Sequence, residues 1–369
     1  MKICVYAIAK NEAKFAARWA SSMREADEIY VLDTGSKDDT VSILRNLNVL
    51  VTEKNIDPWR FDAARNASLA LVPEDADICV CTDLDEVFEP GWRNKLENAW
   101  QLGTTRASYR YTWSFEPDGS EGRVFWLDKI HSRHGYRWTH PVHEVLTWHG
   151  EGQEKRITVE GMQLNHHPDP KKSRAQYLPL LELSVQEAPE DDRNTHYLGR
   201  EYYFHGRWDD CIQMLKKHLS LPTATWKDER CASMRYIAKA YLGKGEPAKT
   251  EQWYWRAMAE APYLREPFMD LAWEKYKQKN WEAVIYLTGL ALAIKERSRN
   301  YITENTAWGS LPSDLRALAY FYTGQYEKAH EAVLQALQYA PENRRLQANR
   351  IIIERALGMG QPLTKKSSR

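Results

Sequence analysis

Two rhythms of apolar and polar residues alternate along the first hundred positions of this chain. Short apolar runs bounded by charge predict buried strands at residues 2–8, 28–33, 48–53 and 77–82. Between them, apolar residues recurring at helical spacing predict helices near residues 12–25, 38–46 and 61–71. Strand alternating with helix argues for a sheet of βαβ units. Their right-handed crossovers bring every strand's C-terminal end to one edge, where open α/β sheets place their ligands. Three of those ends are polar: Ala9-Lys10-Asn11-Glu12, Asp33-Thr34-Gly35-Ser36 and Asp83-Leu84-Asp85. They are expected to meet at one crevice.

From residue 108 to 167 the pattern changes to β-like segments at 109–115, 123–130 and 155–164, joined by Gly- and His-rich loops. Seven of the eleven histidines fall between His131 and His167, so they are clustered. After Pro170 the strands stop. Four stretches follow in which an aromatic-rich helix runs into a Gly-, Lys- or Asn-containing turn and a second amphipathic helix. The turns are marked by Trp208, Pro247, Trp281 and Tyr326, a spacing that brackets the tetratricopeptide period. The pattern predicts an α/β mixed-sheet domain over residues 1–170, tetratricopeptide-like helical repeats over 171–357 and a flexible tail over 358–369. Aromatic residues such as Trp253, Trp255, Trp273 and Trp281 fit the packing of the repeats, whose commonest uses are peptide binding and homodimer formation.

Composition narrows the classes. With 369 residues, 43% hydrophobic and 12% aromatic, the chain is a folded protein of about two domains. The 51 basic and 51 acidic residues cancel, leaving no global basic field for nucleic acid. No apolar run reaches the roughly 20 residues of a membrane helix. The five cysteines form no Cys-x-x-Cys, which fits reduced thiols and a cytoplasmic location.

The candidate chemistry centres on residues 77–86, DICVCTDLDE. In extended backbone Asp83 and Asp85 point the same way, and paired carboxylates suit Mg²⁺ or Mn²⁺ with a substrate's phosphates. The bland account is a strand followed by polar turn residues. In VLDTGSKDDT, residues 31–40, helix capping explains Asp38 or Asp39, whereas Asp33 is better suited to a base or ribose. On the helix after Pro58, Phe61, Ala64 and Leu69 are expected to face inward. Asp62, Arg65 and Asn66 then share the other face, where Arg65 suits a diphosphate. A zinc protease would need His-Glu-x-x-His, but Thr147 stands where the second histidine belongs.

Taken in order, Ala7-Ile8-Ala9-Lys10-Asn11-Glu12, Val31-Leu32-Asp33-Thr34-Gly35-Ser36, Phe61-Asp62-Ala63-Ala64-Arg65-Asn66 and Thr82-Asp83-Leu84-Asp85-Glu86 resemble the signature of family 2 glycosyltransferases of the GT-A fold. The resemblance covers about the first 170 residues. Joined to tetratricopeptide-like repeats, it is similar to bacterial peptide glycosyltransferases of the sublancin S-glycosyltransferase kind. It implies a metal-dependent, inverting hexosyltransferase that uses a nucleotide-sugar, with UDP the expected nucleotide, and a peptide, protein or glycan acceptor. Asp33 would hold uracil or ribose, with Ala9, Asn11 and Glu12 at the base. Asp62 and Arg65 would orient the nucleotide. Asp83 would touch ribose or metal, and Asp85 would be the principal ligand of Mn²⁺ or Mg²⁺. Glu144, in His140-Pro141-Val142-His143-Glu144, is the candidate base and His143 its runner-up. In Asn165-His166-His167-Pro168 the family's aromatic-glycine pair is replaced, so the metal ligand is either His166, which fits the family register slightly better, or His167. Two rivals are an inactive repeat scaffold and a metal-dependent phosphohydrolase built on the same carboxylates.

Overall fold

The computed structural model of the protein describes residues 1–116, 119–169 and 176–358. The proposed tail beyond Gly358 lies outside them. The chain divides into two compact units, Met1–Pro189 with Arg299–Tyr301, and Glu190–Ser298 with the residues from Ile302 on.

The first unit runs β1 (Ile3–Ala9), α1 (Ala13–Ser22), β2 (Glu28–Asp33), α2 (Thr40–Asn46), β3 (Leu50–Glu53), α3 (Phe61–Leu69), β4 (Ile78–Cys81), β5 (Glu86–Phe88), α4 (Trp92–Ala99), β6 (Arg106–Thr112), β7 (Val124–Ser132), β8 (Tyr136–Thr139), β9 (Val145–Trp148), β10 (Arg156–His166) and α5 (Tyr177–Glu187). Among the described residues, eight strands form one mixed sheet in the order β3-β2-β1-β4-β7-β6-β10-β5, and β8 and β9 form a separate hairpin. Strands β1 to β4 are parallel, while β7 enters antiparallel between β4 and β6.

Why β1 and β4 lie at the centre is visible in their residues. Both are apolar throughout, as a strand covered on both faces must be. Alternate side chains feed two cores. Ile3, Val5, Ala7, Ile78 and Val80 pack with Phe15 and Trp19 of α1 and Trp92 and Leu96 of α4. Cys4, Tyr6, Cys79 and Cys81 pack on the other face with Leu69 of α3 and with Trp138 and Leu146 of the hairpin. All five cysteines are buried and free.

Three short elements escaped the sequence reading: β5, α4 and the β8–β9 hairpin. Strand β5 has three residues, too few for a periodicity to register. The hairpin carries tryptophans and histidines instead of alternating aliphatics.

The second unit is helical: α6 (Asp192–Phe204), α7 (Trp208–Ser220), α8 (Lys227–Gly243), α9 (Pro247–Glu260), α10 (Glu266–Lys277), α11 (Trp281–Ala293), α12 (Asn305–Trp308), α13 (Leu311–Tyr322), α14 (Tyr326–Tyr339) and α15 (Arg344–Ala356). The four turn markers each open the second helix of a hairpin. Two residues before each one stands a left-handed residue: Gly206, Gly245, Lys279 and Gly324. The next residue's N–H reaches back five positions, Arg207 to Tyr202, Glu246 to Tyr241, Asn280 to Lys275 and Gln325 to Tyr320. That bond closes a Schellman turn, which is why glycine recurs there. No helix of the described residues is long and apolar enough to cross a membrane.

Candidate active site

The chain runs from β1 to β2 and β3 on one side of β1, then returns to β4 on the other. Such a reversal opens a crevice at the C-terminal ends of the two central strands. Ala9 and Asp83 therefore stand at the place where an open sheet binds its ligand.

Residues after β4 do not continue in extended form. Glu86 N–H donates to the Asp83 carbonyl (3.0 Å), and the Glu86 carboxylate accepts the Asp83 N–H (2.8 Å). These two bonds make a tight turn, so the extended backbone from which Asp83 and Asp85 were expected to share one side is not present. Trp19 Nε1–H anchors the turn from below through Thr82 Oγ1 (3.0 Å). Glu86 is 1% exposed and also accepts the Tyr111 hydroxyl. Burial pushes its carboxyl up.

Asp83 is held by two cations. Its Oδ1 accepts from Arg65 (2.7 Å) and its Oδ2 from Lys129 of β7 (3.0 Å). Burial opposes ionisation, but the Arg65 and Lys129 charges outweigh it and hold the carboxyl well below the usual range. Arg65 is 3% exposed and lies on the inner face of α3 with Ala64, Ser68 and Leu69, whereas the helical pattern had put it on the solvent face. The reversal has a reason: α3 covers the strand ends, so its inner face meets acids there. The guanidinium also donates to Glu144 (2.5 Å) and Cys81 Sγ (3.3 Å) and lies over the Trp138 ring. Its fork is engaged by protein groups, not left open for a diphosphate.

Glu144 closes the loop of the β8–β9 hairpin. In that loop His140 and His143 take left-handed φ of 76° and 50°, conformations that β-carbons disfavour and packing must hold. Three ties bind the hairpin to α3: the Arg65–Glu144 ion pair, a Phe61 N–H to Pro141 carbonyl bond (2.9 Å), and Asn66 clamping both polar backbone groups of Trp138. His143 lies against Tyr177, with ring centroids 5.7 Å apart.

A buried relay underlies this corner. Trp138 Nε1–H donates to the Tyr6 hydroxyl, which meets His131 Nε2 at 2.8 Å, while His131 Nδ1–H donates to the Ser132 carbonyl. A neutral imidazole completes that sequence, with the Tyr6 hydroxyl donating to Nε2, and burial pushes His131 down to about 3.

Asp85 faces a different neighbour. His166 Nε2 stands 3.4 Å from its Oδ2, and His166 Nδ1–H donates to the Trp113 carbonyl (2.9 Å). Burial disfavours the charged ring, but Asp85 outweighs it and raises the imidazole above its ordinary value. His167 turns away and stacks on Phe115 (5.2 Å, 4°), and only its backbone N–H reaches the Asp85 carbonyl. Asp85 and His166 thus supply one carboxylate and one imidazole side by side, a donor set that suits Mn²⁺.

The remaining candidates line the β1 and β2 ends. Asp33 is 1% exposed and caps its own loop: Oδ1 accepts the N–H groups of Gly35 and Ser36, and Oδ2 accepts the Ser36 hydroxyl. Local bonds thus engage Asp33 as they engage Asp38, which accepts from Thr40, whereas Asp39, at the N-cap of α2, makes no side-chain cap bond, contrary to the expectation of capping there. Gly35, at φ 103°, makes this turn possible. The Ala9 carbonyl accepts the Thr34 N–H, Asn11 bridges to Ser36 and Lys37, and Glu12 N–H donates to Thr40. Asp62 pairs with Arg60, which also holds Glu187, so Asp62 and Arg65, one turn apart on α3, engage different partners. Lys129 and Tyr111 sit in strands with no motif around them, so no sequence signal marks either as a site residue.

The chain contains a recognised family region. Residues 4–150 match the family described as Glycosyl transferase family 2. The family 2 region spans β1 to the hairpin, takes in Asp83, Asp85, Arg65 and Glu144, and supports a glycosyltransferase. No curated protein matches the sequence. Among solved structures the chain is similar to the APC/C hetero-tetramer Cut9-Hcn1, with 12% identity over 50% of this chain and 34% of that one (TM-score 0.38). It is also similar to yeast Tom70, with 10% identity, 52% and 38% coverage and TM-score 0.39. A TPR repeat-containing protein of Cytophaga hutchinsonii gives 16% identity, 52% and 69% coverage and TM-score 0.41. Of the first two structures the chain spans less than two fifths of the length.

Proposed function

We propose that the protein is a metal-dependent, inverting glycosyltransferase that moves a sugar from a nucleotide-diphosphate donor, UDP-linked, to a peptide, protein or glycan acceptor. The observation that carries the reading is the Asp83–Glu86 turn at the reversal point of a family 2 region, with Asp85 against His166.

In this reading the nucleotide lies over the ends of β1 and β2, with Ala9, Asn11, Glu12 and Asp33 shaping the base and ribose site. Asp62, bound to Arg60, supports the base of α3. Asp83 is the ribose contact, oriented by Arg65 and Lys129, and leaves the metal to Asp85 and His166; His167 supports the loop. Mn²⁺ or Mg²⁺ there would offset the charge of the departing diphosphate. Glu144 takes the proton of the acceptor's hydroxyl or thiol as that atom bonds to the anomeric carbon. The bond to the nucleotide breaks on the opposite face, which inverts the centre. Arg65 is a positioning residue, because it joins the ribose contact to the base. His143 shapes the loop that presents Glu144.

Calorimetry with UDP tests the donor site. UDP is expected to bind in Mn²⁺ and to lose at least about tenfold in affinity when the metal is chelated, because the diphosphate then faces Asp85 without a counter-charge. No UDP binding in either condition would overturn the reading.

A further inference from the structure

Three helices at the start of the second unit bring together a group of ligand atoms that the proposed transfer does not use. Asp192 opens α6, His218 lies in the last turn of α7 and Glu229 in the first turn of α8. One donor atom from each lies within 4.8 Å of the others. These are not ordinary surface groups: His218 is 0% and Glu229 3% exposed, and Asp192 is half-buried.

A second observation points to what the group holds. His218 Nε2 is buried without a hydrogen-bond partner, and it stands 3.4 Å from Glu229 Oε1. Leaving a ring nitrogen in that condition is costly unless something else engages it. On its other side, His218 Nδ1 meets Ser233 Oγ at 2.9 Å, and Ser233 Oγ meets His196 Nδ1 at 2.7 Å. Asp192 and His196 are one turn apart on α6, and Glu229 and Ser233 one turn apart on α8, so a ligand layer is backed by a hydrogen-bonded layer. If His218 Nδ1–H donates to Ser233 and the serine hydroxyl donates to His196, Nε2 presents its lone pair to the carboxylates. That is the tautomer a metal-binding histidine needs, oriented as metal-binding histidines are.

We propose that Asp192, His218 and Glu229 form a zinc site that pins α6, α7 and α8 together. One nitrogen and two carboxylate oxygens suit a divalent transition ion better than Mg²⁺ or Ca²⁺, which favour oxygen alone. Two carboxylate charges balance the ion. Bonds of about 2.0–2.2 Å require donors roughly 3.3 Å apart, close to the 3.4 Å between His218 Nε2 and Glu229 Oε1. The site is separate from Asp85 and His166, and it holds whether or not the transfer reading does.

The test uses the full chain carrying Asp85→Asn, to remove the ion proposed for the transfer site, stripped of metal with a chelator. Zn²⁺ is expected to bind at one per chain by native mass spectrometry and to raise the unfolding temperature. Co²⁺ in its place should give visible absorption bands of low coordination number. Adding Asp192→Asn should weaken Zn²⁺ binding by about a hundredfold, and Ser233→Ala, which frees the ring, by about tenfold. Circular dichroism checks that each variant stays helical; if Asp192→Asn does not, the zinc count of the Asp85→Asn chain decides. The proposal is overturned if that chain binds no zinc, or if a folded Asp192→Asn variant binds it unchanged.

Discussion

Arg65 donates to Asp83 and to Glu144 at once, so the proposed ribose contact and the proposed base share one support. Replacing it with lysine keeps a charge but loses the fork that reaches both carboxylates. Arg65→Lys is expected to lower stability by about 1–3 kcal/mol and to reduce turnover, measured by denaturant unfolding and donor consumption. Glu144→Gln should instead keep UDP affinity while cutting transfer by roughly 10²–10⁴-fold; lost UDP affinity would make Glu144 a structural residue. His131 gives a pH prediction. Its folded pKa lies near 3, below the ordinary 6.5, so between those values the unfolded chain binds a proton that the native chain refuses. The stability it contributes is full above about pH 6.5 and falls as pH drops toward 3. Against His131→Asn, the wild type should lose up to about 1.4 kcal/mol more per pH unit in that window, read from urea unfolding at several pH values. Equal slopes would mean that the imidazole charges in place.

At the scale of elements, strands and helices were legible wherever burial followed a simple period. The run ICVYAIA becomes the central strand because both its faces are covered, and Trp208, Pro247, Trp281 and Tyr326 open helices because a turn residue precedes each. Helix α3 was misread because periodicity treats arginine as a solvent residue, and only the fold shows that acids lie beneath it. The turn at Asp83–Glu86 was equally hidden, since a triplet of alternating acids reads as strand. One turn residue leads to a stability prediction. Lys279 is exposed at φ 58°, where the three sister turns carry glycine. Lys279→Gly removes a β-carbon penalty of about 1–2 kcal/mol but adds freedom to the unfolded chain. A net gain of about 0.5–1 kcal/mol is expected in thermal unfolding, and a loss would show that the lysine side chain earns its place through contacts.

For the whole molecule, the ordered signatures were legible because three sit at strand ends and the other opens α3, while their geometry was not. Asp83 pairs with Arg65 and Lys129, and His166 rather than His167 faces Asp85, outcomes that depend on neighbours far away in sequence, while the Asp33 carboxylate is taken up by Gly35 and Ser36 of its own loop. Lys129 comes from a strand more than forty residues after Asp83 and belongs to no motif. The helical unit shows the same limit, for Asp192, His218 and Glu229 are dispersed along three helices that only packing assembles. The most direct test of the central claim is release of UDP from a panel of UDP-sugars in Mn²⁺, comparing the wild type with Asp85→Asn. The wild type should release UDP from at least one donor, and Asp85→Asn should lose about a hundredfold or more of that rate. Release of UDP by Asp85→Asn at the wild-type rate, or by neither protein from any donor, would contradict the account.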